Sequence, residues 1–201
     1  MTDRGGIFAG DDPFQIAKRW LDEACVAEPN DPTASALATI DSRGMPNIRV
    51  ILLKSIEPDG LVFFSNYSSR KGQEIAASGK AALNIHWQAL GRQIRVRGTI
   101  AKVSAAASDE YFQSRPLGSR IGAWASHQSE PLSSKATLVQ SVRDAKARHG
   151  QNPARPPHWG GYLITPTEIE FWAHGECRLH DRFRWQRADS MQDWQIQRLN
   201  P

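Results

Sequence analysis

The chain has 201 residues, of which 40% are apolar and 23% are charged. This composition is typical of a globular protein and excludes an intrinsically disordered or fibrous chain. The length suits one folded domain. Lysine and arginine outnumber aspartate and glutamate by 25 to 21, a mild excess that fits a nucleic acid, an anionic small molecule or no charged ligand.

The sequence gives no signal for export or membrane insertion. No apolar run approaches the roughly 18 residues that suggest a membrane-spanning helix, and the first residues are polar. The two cysteines, Cys25 and Cys177, match no disulfide framework. We therefore expect a soluble cytoplasmic protein with reduced thiols and no membrane partner.

The chain begins with a segment that has no secondary-structure pattern. Residues 1–11 contain glycine and aspartate without a period and are interpreted as a flexible leader, followed by a single domain over residues 12–201. Asp12 as N-cap and Pro13 as first helical residue predict an amphipathic helix, because apolar residues recur after them at helical spacing.

Short β-prone runs follow that helix. Turn chemistry at residues 41–44 and 58–60 predicts that the first three runs are consecutive antiparallel strands. Strict alternation around Ile94 and Val96 places these two side chains on one face and long polar side chains on the other. The predicted strands are residues 35–40, 47–54, 61–65, 81–87, 92–103, 162–164, 168–172, 182–187 and 194–199.

Three helices interrupt these strands, at residues 69–77, 105–114 and 132–148. About nine short strands with a few helices indicate a mainly β protein, an antiparallel barrel decorated by α-helices. Closure of the barrel removes exposed strand edges, which are prone to aggregate.

Two segments carry groups that suit a phosphate. Ser65 to Lys71 combines hydroxyl, amide and cationic side chains where a strand ends and a helix begins, as phosphate sites do. The same residue types are ordinary turn and cap residues. Tyr111, Arg115 and Ser119 surround a predicted helix break and suit a second phosphate, or they form a helix end with Arg115 near the carbonyl dipole.

The segment 178–182 is the densest cluster of chemistry-bearing residues. If it is extended, Arg178, His180 and Arg182 lie on one face, where they repel one another unless an anion or electron-rich ring lies between them. A structural histidine is the alternative. Cys177 and His180 have metal-ligand spacing but no second pair, so no metal site is predicted. Of the seven tryptophans, most should be core and one or two could stack on a planar cofactor.

Seven segments, in this order, resemble signatures of the pyridoxamine/pyridoxine 5'-phosphate oxidase family. The resemblance covers residues 12–201 and implies a split β-barrel homodimer that binds flavin mononucleotide (FMN) at the subunit interface. The segments are residues 49–54, 64–66 with 69–71, 111–116, 121–124, 159–161, 169–172 and 178–182.

The resemblance also implies roles for individual residues. Arg70 and Lys71 hold the FMN phosphate, and Phe64, where many relatives have tyrosine, contributes a backbone contact. The implied FMN contacts are Arg49, Val50, Ile51, Leu52, Leu53, Lys54, Phe64, Ser65, Arg70, Lys71, Gln93, Gln128, Ser129, Trp172 and Arg182. The implied substrate contacts are Lys54, Tyr111, Arg115 and Ser119 for the phosphate, with Arg178 and His180 over the pyridine ring as the catalytic residues.

The implied reaction is FMN-dependent oxidation of pyridoxamine or pyridoxine 5'-phosphate by O2 to pyridoxal 5'-phosphate. It releases hydrogen peroxide, and ammonia from the amine, in vitamin B6 metabolism. The redox chemistry belongs to the flavin, and the protein holds two anionic ligands face to face.

Two other functions remain as alternatives. A split barrel that binds a flavin without oxidising a vitamin B6 phosphate would keep Arg70 and Lys71 but lack Tyr111, Arg115 and Ser119, which are present. A nucleic-acid-binding barrel is suggested by the basic residues and by aromatic residues on strands; a flavin spectrum would exclude it, and we expect no nucleic-acid partner.

Overall fold

The computed structural model describes residues 4–201, and within them the chain forms five α-helices and eight strands. No helix of this part of the chain is both long and apolar enough to cross a bilayer. The helices are α1 (Pro13–Ala27), α2 (Arg70–Ser78), α3 (Ala105–Ser114), α4 (Leu117–Ala125) and α5 (Lys135–His149). The strands are β1 (Ala34–Ile40), β2 (Pro46–Glu57), β3 (Gly60–Asn66), β4 (Lys80–Trp87), β5 (Arg92–Lys102), β6 (Trp159–Ala173), β7 (Asp181–Gln186) and β8 (Gln195–Leu199).

The strands form one antiparallel sheet that closes on itself. Their order is β3-β2-β1-β4-β5-β6-β7-β8, and β3 also pairs with β6. The first six strands in this order are therefore a closed barrel, and β7 and β8 extend the sheet beyond it. The predicted antiparallel β-barrel with helical decoration is confirmed.

The last long strand of the barrel, β6, differs from its prediction. The sequence predicted two strands, at residues 162–164 and 168–172, and Pro166 lies between them. In the structure β6 continues through this point, and its register with β5 shifts beside Gly98. A bulge tolerates a proline, which has no backbone N–H to give to the ladder, so the sheet has eight strands and not about nine.

The barrel interior is filled by the inward-facing side chains of the strands. Ile94 and Val96 are both buried, which confirms the predicted alternation. Helix α1, capped by the Asp12 side chain accepting from the Phe14 N–H at 2.8 Å, sends Trp20 into the core. There Trp20 packs edge-on against Phe171 of β6, with ring centroids 5.1 Å apart.

The structure also differs from the predicted flexible leader over residues 1–11, of which residues 1–3 lie outside the described part. A 3₁₀ turn, Gly6–Phe8, precedes α1, and Phe8 is buried against Phe183 with ring centroids 4.9 Å apart. The indole N–H of Trp20 donates to the Ile7 carbonyl at 2.8 Å. This ring contact and this hydrogen bond dock the segment on the barrel.

Candidate active site

A cavity of about 620 Å³ opens where β2 and β3 and the start of α2 face the α3–α4 pair, a volume in the range of small-molecule sites. It brings together groups that the sequence placed in two separate phosphate-binding sets. The predicted site residues that line it are Val50, Ile51, Leu52, Lys54, Phe64, Ser65, Lys71, Tyr111, Arg115, Ser119 and Gln128.

The first phosphate-binding set lies at the start of α2. Ser69 is the N-cap, and its side chain accepts from the Gly72 N–H. Lys71 is buried, and its Nζ donates to the Ser69 hydroxyl at 3.1 Å and to Gln128 Oε1 at 2.8 Å. Burial and the positive charge of Arg49 lower the pKa of Lys71 to about 8. A cation held at the positive end of a helix favours the binding of an anion there.

Arg49 and Arg70 do not line this cavity and bind a buried carboxylate instead. Glu74 of α2 is 4% exposed and lies 3.1 Å from Arg49 Nη2 and 3.3 Å from Arg70 Nε. Thr39 and Asn47 donate hydrogen bonds to Glu74 at 2.5 Å and 3.0 Å. Burial acts to raise the pKa of Glu74, but these hydrogen bonds and Arg49 outweigh it and lower the pKa.

Two further predicted FMN contacts also lie outside the cavity lining. The Leu53 side chain is 1% exposed and packs in the barrel core, so it does not reach the cavity. Ser129 follows Gln128 in a left-handed conformation with a φ of 74° and is exposed.

The second phosphate-binding set lies between α3 and α4. Arg115 is the C-terminal cap residue of α3, and burial lowers its pKa. Its Nη1 is buried without a hydrogen-bond partner among the described residues, which is costly for a charged donor unless an anion binds. Tyr111 stacks on Phe64 with ring centroids 3.9 Å apart. Ser119 lies in the first turn of α4, a helix that the sequence analysis missed.

A second cluster of predicted site residues lies elsewhere on the chain. Gln93 pairs with Trp172, and Trp172 pairs with Arg182, so the three lie in one row across β5, β6 and β7. The His180 ring lies 4.6 Å from the Trp172 ring. Arg182 Nε donates to Glu170 at 2.8 Å.

The chain just before β7 is not extended, although the sequence predicted an extended segment for residues 178–182. Arg178 is exposed and belongs to a 3₁₀ turn, Glu176–Arg178, in which Cys177 and Arg178 have φ values of 54° and 65°. The Gly175 N–H donates to His180 Nδ1 at 3.2 Å. When the imidazole is neutral, this bond places its proton on Nε2, which then is a hydrogen-bond donor.

One chain does not bring the two clusters together. Trp159 lines the cavity and Trp172 belongs to the second cluster, and they lie near opposite ends of the 15-residue strand β6. None of Gln93, Trp172 and Arg182 lines the cavity.

The outer face of β2 carries exposed apolar side chains next to the cavity. Ile48 and Val50 are 67% and 68% exposed, because they alternate with inward-facing residues of the same strand. Val50 and Leu52 also line the cavity. A continuous apolar surface of this kind is typical of an interface with another protein. The exposed apolar residues on and beside β2 are Ile40, Met45, Ile48, Val50 and Leu52.

Several residues that line the cavity have no individual role predicted from the sequence. One of them is Trp159. The only feature of the sequence that pointed to it is its place in the segment 159–161, which resembles a signature of the family. The others are Pro116, Gly122, Ala123 and Ser126, while Asn66, which also lines the cavity, belongs to the predicted phosphate segment Ser65 to Lys71.

Two family models match the sequence. Residues 21–149 match the model described as pyridoxamine 5'-phosphate oxidase. Residues 159–201 match the model described as the pyridoxine 5'-phosphate oxidase C-terminal dimerisation region.

The chain is also similar to curated relatives over nearly its whole length. The chain is 57% identical over 201 residues to a pyridoxine/pyridoxamine 5'-phosphate oxidase of Roseobacter denitrificans, covering 100% of both chains. It is also 57% identical to one of Cereibacter sphaeroides, covering 99% of this chain and 100% of the relative.

Two solved structures share the fold. The crystal structure of PhzG from Burkholderia lata, in complex with tetrahydrophenazine-1-carboxylic acid, is 35% identical with a TM-score of 0.90, covering 96% of this chain and 94% of that one. A pyridoxamine 5'-phosphate oxidase-related, FMN-binding protein from Nostoc punctiforme has a TM-score of 0.75 at 18% identity, covering 96% and 100% of the two chains. At that identity the second likeness supports the fold alone.

Proposed function

Because the chain belongs to the pyridoxamine 5'-phosphate oxidase family, we propose that it oxidises pyridoxamine and pyridoxine 5'-phosphate to pyridoxal 5'-phosphate with FMN and O2. The observation that carries the proposal is the meeting of two anion-binding sets in one cavity. Lys71 belongs to the first set and Arg115, with its unpartnered Nη1, to the second. The reaction needs this arrangement, since both FMN and the substrate carry a phosphate.

The residues of the first set fit the FMN phosphate. Ser65, Lys71 and Gln128 line the cavity beside the N-terminus of α2, so a phosphate there meets a cation, polar side chains and backbone N–H groups. When bound, FMN supplies the hydride acceptor and is reoxidised by O2, which releases hydrogen peroxide. Arg49 and Arg70 take part through their shared partner Glu74, which fixes the first turn of α2.

We propose that the complete site forms between two copies of the chain. Three observations support a homodimer: the separation of the two clusters along β6, the exposed apolar face of β2 that borders the cavity, and the match of residues 159–201 to a dimerisation region. A symmetric dimer brings the Gln93, Trp172 and Arg182 cluster of each copy to the cavity of the other and forms two equal sites.

In such a site the substrate is held at both ends. Lys54, Tyr111, Arg115 and Ser119 bind its phosphate, and Arg178 and His180 of the other copy lie over its pyridine ring. His180 donates from Nε2, because its Nδ1 is occupied by the Gly175 N–H. A donor and a guanidinium placed there orient the ring and stabilise charge that develops on it.

The direct test is peroxide release from the purified protein. With added FMN, we expect a flavin absorption spectrum and hydrogen peroxide when pyridoxine or pyridoxamine 5'-phosphate is supplied. Unphosphorylated pyridoxine is the matched control and should react far more slowly, because it lacks the group that Arg115 binds. A yellow protein that releases no peroxide with either phosphate would instead be a flavin-binding protein without this activity.

The affinity for FMN should depend on pH through Lys71. Without a bound anion its pKa is about 8, and a phosphate dianion raises this value because it favours the charged form. Below pH 8 the lysine is already protonated and the affinity is constant. Above pH 8 binding must take up a proton, so the dissociation constant should rise by up to about tenfold per pH unit.

Quenching of flavin fluorescence between pH 6.5 and 9.5 measures this dependence. Riboflavin has the same ring system without the phosphate and is the control ligand, for which no such rise is expected. Lys71→Arg keeps the charge over the whole range and should abolish the rise for FMN. An equal pH dependence for FMN and riboflavin would show that Lys71 does not bind the phosphate.

A further inference from the structure

We propose that Trp159 is a positioning residue, which holds the guanidinium of Arg115 in the orientation that binds the phosphate of the substrate. This inference rests on the proposed function, because it concerns the second phosphate-binding set of the same cavity. It assigns a role to a residue that contributes an indole ring and no charge to the site.

The guanidinium of Arg115 is held by aromatic faces. Its Cζ lies 4.5 Å from the centroid of the Trp159 ring and 5.7 Å from that of Phe112, both within the range of a cation–π interaction. A ring beneath the guanidinium plane leaves the N–H groups at its edge free to donate. Nη1 is such a group, buried and without a partner among the described residues.

Trp159 itself is fixed on three sides. It is 6% exposed and pairs with Asn66 of β3 as the first residue of β6. Its ring lies nearly parallel to the Tyr111 ring, with centroids 6.2 Å apart and 7° between planes. Phe112 meets it edge-on at 5.2 Å.

Trp159 also belongs to the group of stacked rings that holds Tyr111, another residue of the second phosphate-binding set. The Phe64 ring lies 5.6 Å from Trp159 and 3.9 Å from Tyr111, in nearly parallel planes. Gly161 makes room for Val103 and Phe64, since a Cβ at this position would lie 2.6 Å from Val103 Cγ2 and 2.8 Å from Phe64 Cε1. Trp159 therefore contacts Arg115 directly and anchors the stack that contains Tyr111.

This arrangement predicts an effect on substrate binding more than on the chemical step. Without the indole ring, the Arg115 side chain adopts more rotamers and is more hydrated in the free protein. Phosphate binding must then restrict and dehydrate the side chain, which weakens binding. Trp159→Leu should therefore weaken phosphate-dependent binding about tenfold, a loss that lies between the size of an exposed and that of a desolvated cation–π interaction. Trp159→Phe keeps an aromatic face and should weaken it only about threefold.

The experiment is a double-mutant cycle between Trp159 and Arg115, with binding as the readout. The ligand is 4-deoxypyridoxine 5'-phosphate, which has no oxidisable group at C4', and its affinity for the FMN-loaded protein is measured by calorimetry. Trp159→Leu and Trp159→Phe are each made in the wild type and in Arg115→Met. If Trp159 acts through Arg115, the two substitutions weaken binding in the wild type and have almost no further effect in Arg115→Met.

Controls separate this role from general packing. Trp194→Leu removes an indole that lies 4.1 Å from the Arg187 guanidinium, outside the cavity, and should leave the affinity unchanged. In steady-state assays Trp159→Phe should raise KM and leave kcat within about twofold. Equal losses in both Arg115 backgrounds, or a loss in kcat alone, would overturn the proposal.

The outcome is distinguishable from a failure of the proposed function. If the wild type binds the phosphorylated ligand through Arg115 but releases no peroxide, the proposed activity is wrong and the coupling of Trp159 to Arg115 stands. If peroxide is released and the cycle shows no coupling, the activity stands and the role of Trp159 is wrong.

Discussion

Replacement of Arg115 by methionine should lower kcat/KM for the phosphorylated substrates about 100-fold, which corresponds to about 3 kcal/mol of lost charge-assisted hydrogen bonding. Arg115 is half-buried, and its Nη1 has no partner among the described residues. Because Nη1 is already buried in the free protein, it loses little hydration when the phosphate binds. The substitution therefore removes a donor whose hydrogen bond to the phosphate has a low desolvation cost. Methionine keeps most of the side-chain length, so the cavity wall of Phe112 and Trp159 should remain packed.

Three measurements separate this effect from a loss of structure. The affinity for FMN should be unchanged in Arg115→Met, since Lys71 and Gln128 lie in the other phosphate-binding set. Unphosphorylated pyridoxine should lose little, because it does not use Arg115. Arg143→Met, on the exposed side of α5, is the matched control and should behave as wild type. A similar loss with phosphorylated and unphosphorylated substrates would contradict the assignment of Arg115 to the phosphate.

Much of the fold follows from local patterns in the sequence. The alternation around Ile94 and Val96 gave the correct faces of β5, and the turns at residues 41–44 and 58–60 gave the correct order of β1, β2 and β3. The errors occurred where tertiary contacts override local signals. Phe8 is buried against core residues that are distant in the sequence, so no local pattern predicts its position. Pro166 is accommodated by a bulge in β6 where it pairs with β5.

The site was predictable as a set of residue types but not as an arrangement. Residues from three separate segments line the cavity, among them Val50, Lys71 and Arg115. No local pattern shows that Arg49 pairs with Glu74 rather than lining the cavity. The turn at Cys177 and Arg178 depends on left-handed backbone angles of two non-glycine residues. Alternation alone predicted an extended strand there.

The second large effect concerns sharing of the site between two chains. Arg178→Met should lower kcat about 100-fold, because a guanidinium that stabilises developing charge is typically worth this much. Arg115→Met and Arg178→Met then disable the two halves of the site separately. Restoration of activity on mixing the two variants reports whether these halves come from different chains.

The most direct measurement is therefore the activity of a defined heterodimer. The Arg115→Met chain and the Arg178→Met chain are co-expressed with different affinity tags, and the dimer that carries both tags is isolated. In a shared site, one cavity receives both substitutions and the other receives neither, so the heterodimer should have about half the wild-type activity. A wild-type chain paired with a chain that carries both substitutions should have almost none, because each cavity then has one defect. The opposite pattern, an inactive first heterodimer and a half-active second one, would show that each chain contains a complete site.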